Sequence, residues 1–266
     1  MNPNGAPFRF PSLPIVTPDP PRKSQAEKYG LALYLGLGGL VVLLALIGWF
    51  GWRVWSMRPV WRNVYVLNDR QAPTELRIQA ALDLSRDHRV EPRQLWDLSL
   101  HRDLPPLARY ILAEGISADL VAADPLGYAS AVARSEDWPE WLRLVLARPM
   151  AYAASQGHTL SRERLAELCR LDDPQLRLWA LYALAMQSRP DPAPKAKILR
   201  LADEPGPDRE LAQLFEKALS APDAPGRALI LDEATAWTRA RHPAVRPLWD
   251  GWTLKGGRVE RVKPSA

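Results

Sequence analysis

GLALYLGLGGLVVLLALIGWFGW, residues Gly30–Trp52, is a run of 23 residues without a charge. At about 1.5 Å rise per residue a helix of this length measures roughly 35 Å, against a hydrocarbon core of about 30 Å. The run predicts a membrane-spanning helix, because in lipid every backbone N–H and C=O must be paired within the segment. Gly36, Gly38, Gly39, Gly48 and Gly51 would weaken a helix in water but are common in membrane helices. Gly30, Gly36, Gly39, Leu43, Gly48 and Trp52 mark the span. Trp49, Trp52, Trp55 and Trp61 gather at its C-terminal end, where indole rings favour the headgroup layer, so a membrane interface is expected there.

Two other readings weigh less. A buried core helix rarely runs so long without a charge. A cleaved signal peptide has an apolar region of about 7–15 residues followed by small residues, whereas this run exits into Trp49-Phe50-Gly51-Trp52-Arg53. No strict Gly-x-x-x-Gly occurs in the span. The pairs Gly36/Gly39 and Gly48/Gly51 give a weak basis for self-association through it. Arg22, Lys23 and Lys28 precede the span and Arg53, Arg58, Arg62 and Arg70 follow it, so positive charge near the ends leaves orientation unresolved. Lys28, at the very edge of the span, tips the balance slightly to an inside N-terminus.

Outward from the span, charge is unevenly placed. Residues 1–58 hold six Lys/Arg against two acids, residues 59–240 hold 23 against 26, and residues 241–266 hold six against two. The net charge of +5 therefore comes from the two ends, and the slightly acidic body argues against nucleic acid as a partner. Cys169 is the single cysteine, which excludes a disulfide framework and a cysteine-based metal cluster. Within LAELCRL it reads as a structural thiol on a helix.

Residues 1–23 carry seven prolines and too little apolar surface to fold, so a disordered tail is expected. Residues 24–57 read as the transmembrane helix with its flanks. Pro59 is expected to break or kink it, and 58–72 to form a juxtamembrane linker or short helix. From 73 to 240 apolar residues recur at helical spacing, with proline or Asp-Pro at the breaks. The pattern predicts helices at about 74–87, 92–101, 105–114, 118–123, 125–135, 139–156, 162–171, 174–187, 193–203, 207–219 and 227–240. Asp124-Pro125 and Asp173-Pro174 each supply an N-cap followed by proline at the first helical position, with Glu91-Pro92 as a weaker version. Residues 241–266 form a basic segment, where Gly256-Gly257 suits a tight turn and predicts a small β-hairpin.

Helices this short cannot bury their apolar stripes alone, and a layered stack of antiparallel helices satisfies them. Laid over each other, PTELRIQAALDLSRD (73–87) and DPQLRLWALYALAMQ (173–187) match at Leu76, Arg77, Ala80 and Leu84 with Leu176, Arg177, Ala180 and Leu184. Together with Pro73 and Pro174, these residues resemble a HEAT-type repeat, and PPLARYILA (105–113) is a fainter echo. The resemblance covers two or three helices and implies an α-solenoid that presents a concave surface to proteins. The matches are about a hundred residues apart rather than the roughly 40–47 of a regular HEAT array, so an irregular helical bundle stands beside the solenoid. The fold class expected is all-α, with one N-terminal transmembrane helix.

The search for chemistry gives little. His88, His101, His158 and His242 never pair at helical spacing, and each reads as a solvated surface histidine. Asp172-Asp173 and Glu136-Asp137 read as capping groups ahead of helices. No Walker lysine and no Gly-x-Ser-x-Gly elbow is present. No catalytic residue, metal ligand or cofactor is expected. The sequence thus predicts a single-pass membrane protein, non-catalytic, acting as an interaction scaffold or assembly factor, with the lipid bilayer and an unidentified protein as partners. The alternative is a membrane-tethered enzyme whose site forms no sequence motif.

Overall fold

The computed structural model describes residues 25–134, 137–187 and 192–262, with side chains from residue 37 onward. The described residues form twelve α-helices, one 3-10 turn and one two-stranded sheet. The proline-rich residues 1–23 lie outside them. The chain divides into two compact units, Met1–Ser56 and Met57–Ala266.

In the first unit the described residues belong to one helix, α1 (Gln25–Asn68), which runs on into the second unit. The span Gly30–Trp52 lies wholly within it. Leu37–Asn68 is long and apolar enough to cross a membrane, and no residue of its most apolar window is buried. Leu43, Trp49, Trp52 and Trp55 are all exposed, Trp55 at 70%.

Of the break or kink expected at Pro59, the break does not occur, and Pro59 lies inside α1. Proline has no N–H to give to the carbonyl four residues back, and the loss of one bond is offset by burial. Val60 and Leu67 are buried, and Val64 packs half-buried on the same face. Residues 58–68 are therefore a continuation of the helix, and only Asp69–Pro73 connects it to the next. Trp61 points away from this face and is exposed.

Eleven helices follow in the second unit: α2 (Thr74–Arg86), α3 (Pro92–Leu100), α4 (Pro106–Glu114), α5 (Ala118–Ala123), α6 (Pro125–Ala133), α7 (Glu140–Ser155), α8 (Arg162–Leu168), α9 (Pro174–Ala185), α10 (Pro192–Asp203), α11 (Arg209–Ser220) and α12 (Ala224–Arg241). Their starts are built as the sequence implies. Asp124 accepts the Gly127 N–H at 2.9 Å, and Asp173 accepts those of Gln175 and Leu176 at 2.9 and 3.1 Å. These bonds satisfy N–H groups that have no partner within the helix. Glu91 makes no such bond, so α3 relies on proline alone. Glu136 lies outside the described residues, and α7 has Pro139 at its N-cap with no side-chain cap bond, so Asp137 does not cap it.

The helices α2, α4, α7, α9 and α11 pack in that order, each against the next. Helices α3, α5, α6, α8 and α10 pack against members of this ladder. The C-terminal segment returns along it. Helix α12 lies on α11 and α7, the 3-10 turn Arg246–Trp249 on α4, and the hairpin on α2. This explains why two ladder helices show no clean apolar stripe. Leu107 to Ala113 of α4 and Leu144 to Ala147 of α7 are buried without interruption. A helix buried all round has neighbours on every side.

The hairpin pairs β1 (Trp252–Lys255) antiparallel with β2 (Arg258–Arg261), with Leu254 opposite Val259. Gly256 and Gly257 turn the chain at φ +57° and +81°, values L side chains rarely adopt. A lone hairpin is marginal in water. This one buries Val259, whose N–H donates to Gln79 Oε1 of α2 at 3.0 Å, while Arg86 Nη1 donates to Gly257 O.

An arginine recurs at the starts of the ladder helices, and at some of them it ties one helix to the end of the helix before. Arg77, Arg109, Arg143 and Arg177 each stand four residues after the N-cap of a ladder helix, at intervals of 32, 34 and 34 residues. Arg77 Nε donates to Leu67 O in the last turn of α1, and its Nη2 to Asp103 O. Arg109 Nε donates to Ser99 O in the last turn of α3. Arg227, at the same place in α12, donates from Nη2 to Ser155 O, the last residue of α7. In α11 the task falls to Arg209 at the first helical position, which donates to Ala202 O near the end of α10. Carbonyls at helix C-termini lack intrahelical partners and carry partial negative charge, so a guanidinium satisfies both needs. Replacing Arg77 with methionine keeps the apolar stem but leaves two carbonyls without their donor. A loss of about 1–3 kcal/mol is expected in denaturant titration of the full chain in detergent. Arg177→Met should cost less than about 1 kcal/mol, because its bond to Asp172 O is exposed and 3.3 Å long.

Candidate functional site

The described polar groups converge most densely where α12 crosses the ends of α4 and α7. A cavity of about 420 Å³ opens there, lined among others by Arg86, Glu114, Arg148, Asp232, Arg239 and Trp249. A second cavity of about 320 Å³ shares Glu114, Arg148 and Asp232 with it, and a third of about 350 Å³ shares Arg239, Trp249 and Leu254. The three form one groove between the ladder and the C-terminal segment.

Glu114, the last residue of α4, is its hub. Oε1 accepts the Tyr110 hydroxyl at 3.0 Å and lies 3.3 Å from Arg148 Nη1, while Oε2 accepts from Arg239 Nη2 at 2.6 Å. Arg148 Nε donates to Thr235 Oγ1 of α12 at 3.0 Å. Tyr152 donates its hydroxyl to Asp232 Oδ1 at 2.6 Å. The Arg239 guanidinium stands 5.4 Å from the centre of the Trp249 ring. Burial holds the Tyr152 phenol neutral and pushes its pKa up to about 12, with Asp232 acting in the same direction. Burial likewise pushes Tyr110 up, reinforced by the charge of Glu114. These phenols are therefore hydrogen-bond donors at neutral pH. Arg148 and Arg239 share the carboxylate of Glu114 within the groove, while Asp232 accepts from the Tyr152 hydroxyl, which makes it a polar lock between α12 and the ladder.

A second cluster joins Glu140, Asp173 and His242, whose potential ligand atoms lie within 4.8 Å of one another. His242 is 1% exposed, so its reading as a solvated histidine is wrong. The sequence placed it in a charged loop, but the return of the C-terminal segment carries it onto the start of α9. The Ala244 N–H donates to His242 Nδ1 at 3.1 Å. That fixed donor leaves the ring proton on Nε2, which donates to Asp173 Oδ2 at 3.2 Å. The imidazole then has no lone pair left for a metal ion. Asp173 is shared in the same way, with Oδ1 capping α9 and Oδ2 holding His242. The cluster is a structural joint between α9 and the end of α12. Close by, burial raises the pKa of Asp208, the Gln175 amide opposes this, and the negative charge of Asp173 adds to it.

His88, His101 and His158 are exposed, as their sequence contexts suggest. Of the residues matched in the two HEAT-like segments, Ala80, Ala180, Leu176, Leu84 and Leu184 are buried. Leu76 is 55% exposed, unlike its counterpart Leu176, because α2 is the first helix of the ladder and no ladder helix precedes it. Pro73 and Asp173 occupy N-caps, Pro174 opens α9, Arg77 ties α2 to the end of α1, and Arg177 donates to Asp172 O in the loop ahead of its own helix. None of these residues lines the groove. Glu114, Arg148 and Arg239 were not singled out from the sequence, since the ion pairs that join them form only through long-range packing.

Cys169 is half-buried at the end of α8, and burial pushes its thiol up to about 11. The thiolate is the reactive form, so Cys169 should react with a maleimide at pH 7.5 at least about tenfold more slowly than an exposed thiol. Rates for the parent chain and for Cys169→Ala carrying Lys195→Cys, an exposed position, provide the check.

Comparison with known proteins gives no match: no family model, no curated protein and no solved structure is significantly similar to this chain.

Proposed function

We propose that the chain is a single-pass membrane protein whose helical array acts as a protein-interaction scaffold or assembly factor. The observation that carries this reading is the union in one chain of an uncovered apolar helix and a ladder of helices recurring at 32–34 residues. Such arrays offer extended surfaces built from equivalent helices, which suits protein partners better than small substrates. The HEAT-type resemblance gains from the burial of Ala80, Leu84, Ala180 and Leu184 at matching positions. It loses from the interval, which is shorter than the roughly 40–47 residues of that family.

The alternative, a membrane-tethered enzyme, draws on the groove under α12, where polar groups converge around open volume. Its Arg148 and Arg239 are already paired with Glu114, and its Asp232 with the Tyr152 hydroxyl, which favours the scaffold reading.

Two measurements test it. The full chain is expected to remain in the membrane pellet through alkaline carbonate extraction and to leave only with detergent. Release by carbonate alone would overturn the anchor. Photo-crosslinkers placed at exposed positions of α3 and α10 are expected to yield discrete protein adducts in cells, lost when Gly30–Trp52 is deleted. Absence of adducts at every such position would remove the scaffold reading. Orientation follows from labelling Lys195→Cys in the Cys169→Ala chain with an impermeant maleimide. An inside N-terminus requires labelling of intact cells, whereas labelling only after lysis reverses the assignment.

A further inference from the structure

The second unit covers its aromatic rings with two exceptions. Among the described residues from Met57 onward, every Trp, Tyr and Phe is buried or half-buried except Trp61 and Tyr65, which are 53% and 74% exposed. Both lie on α1, on the side opposite Val60, Val64 and Leu67. Arg58 and Arg62 join them there, because positions 58, 61, 62 and 65 follow the i, i+3, i+4, i+7 spacing of one helix face. Both arginines are exposed, and neither side chain has an ion pair or hydrogen bond among the described residues. The nearest acid along the chain, Asp69, lies past the helix end and accepts the Gln71 N–H at 2.9 Å. Trp, Tyr and Arg are the residue types that carry most binding energy where proteins meet.

We propose that this face of α1 docks an acidic segment of a second protein beside the bilayer. The inference rests on the scaffold reading and gives the partner a place and a chemistry. Lipid does not reach the face. At about 1.5 Å per residue, Trp61 and Tyr65 lie roughly 14 and 20 Å of helix beyond Trp52. The headgroup layer adds only about 5–8 Å to each side of the hydrocarbon core, and a tilt of about 20° changes that reach little. A second copy fits no better, because a two-fold contact within one membrane sets Arg58 and Arg62 against the same arginines of the other copy. An acidic partner meets both demands. Carboxylates one helical turn apart take the two guanidinium groups, and an apolar patch beside them takes the rings of Trp61 and Tyr65.

The test places a photoreactive benzoyl-phenylalanine at Tyr65 of the full chain in cells. A protein adduct is expected, with Asp or Glu in the partner within about one helical turn of the attachment point. Arg58→Glu/Arg62→Glu should cut the adduct about tenfold, and Lys in place of the partner's acids should restore it with the reversed chain. If reversal beside the span turns the chain over, which the Lys195→Cys label reads, Trp61→Ala decides. Charge-neutral and at an exposed position, it should cut the adduct about tenfold as well. Adducts with lipid or with a second copy alone overturn the proposal, as does no adduct at all. So do a partner site without acids, a charge swap that restores nothing in a correctly oriented chain, and an adduct that Trp61→Ala leaves unchanged. A chain that fails here yet crosslinks partners through α3 or α10 loses this docking face and keeps the scaffold function.

Discussion

Glu114→Ala is expected to cost about 3–5 kcal/mol of stability, read as a shift in the denaturation midpoint of the full chain in detergent. Glu114 is the counter-ion of both Arg148 and Arg239, whose side chains are 12% and 35% exposed. Removing a carboxylate from a buried pair leaves an uncompensated charge in a poorly hydrated place, and that penalty exceeds the worth of the bonds themselves. Arg148 carries most of the effect, because Arg239 reaches solvent in part and is relieved by screening. The double variant Glu114→Ala/Arg148→Met should accordingly be less destabilised than the sum of the two single changes. Asp232→Asn, which loses a charge at an exposed bond, should change stability by less than about 1 kcal/mol. A loss below about 1 kcal/mol for Glu114→Ala would mean that both arginines find water when their partner is gone. The groove would then be a hydrated channel rather than a lock.

The elements were legible in the sequence because their signals are local. Asp124-Pro125, Asp173-Pro174 and Gly256-Gly257 fix starts and turns through bonds and dihedrals within a few residues. The span was legible because its apolar run needs no partner to be recognised. Pro59 misled because a proline rule describes the backbone alone, and the burial of Val60 and Leu67 is a tertiary effect. The even spacing of the ladder helices was half visible. Arg77 and Arg177 are a hundred residues apart and looked too distant for an array, yet Arg109 and Arg143 stand between them in the same helical position. Their flanks, Pro105-Pro106-Leu107-Ala108 and Pro139-Glu140-Trp141-Leu142, differ enough in side chain to hide the equivalence that helix starts reveal. Searching for an arginine four residues after each helix cap would have found it.

The candidate site was not legible at all. Glu114 to Arg239 is a separation of 125 residues, and His242 to Asp173 is 69. Such pairs exist only because the C-terminal segment turns back over the ladder, and nothing in the spacing of charges announces that return. One signal was available. The runs Tyr110–Ala113 of α4 and Leu144–Ala147 of α7 are unbroken by a charge, and such runs in an edge-exposed layer would leave apolar surface in water. Their composition therefore called for a further layer, which α12 and the hairpin supply.

Trp179→Ala should be as damaging as the loss of Glu114, at about 3–5 kcal/mol, but for the opposite reason. Trp179 is fully buried in α9, with its ring 4.9 Å and 79° from that of Phe215, and Tyr182 stacks on the same phenyl ring at 5.3 Å and 27°. Alanine here empties a site whose walls are three helices, α9, α10 and α11, that pack on one another and cannot collapse independently. The effect should come with retained polar joints and a broadened transition, measured by far-ultraviolet circular dichroism in denaturant. Trp179→Phe separates packing from polarity. Trp179 Nε1 and the Tyr182 hydroxyl have no hydrogen-bond partner among the described residues. Phenylalanine forfeits apolar area but also deletes a buried unpaired N–H, a group that costs about 1–3 kcal/mol to leave unsatisfied. The two terms oppose, so Trp179→Phe should change stability by less than about 1.5 kcal/mol, and Tyr182→Phe should be neutral or stabilising. If Trp179→Phe were instead as harmful as alanine, the indole N–H would have a partner within the native fold, and the centre of the array would be held by a polar contact as the groove under α12 is.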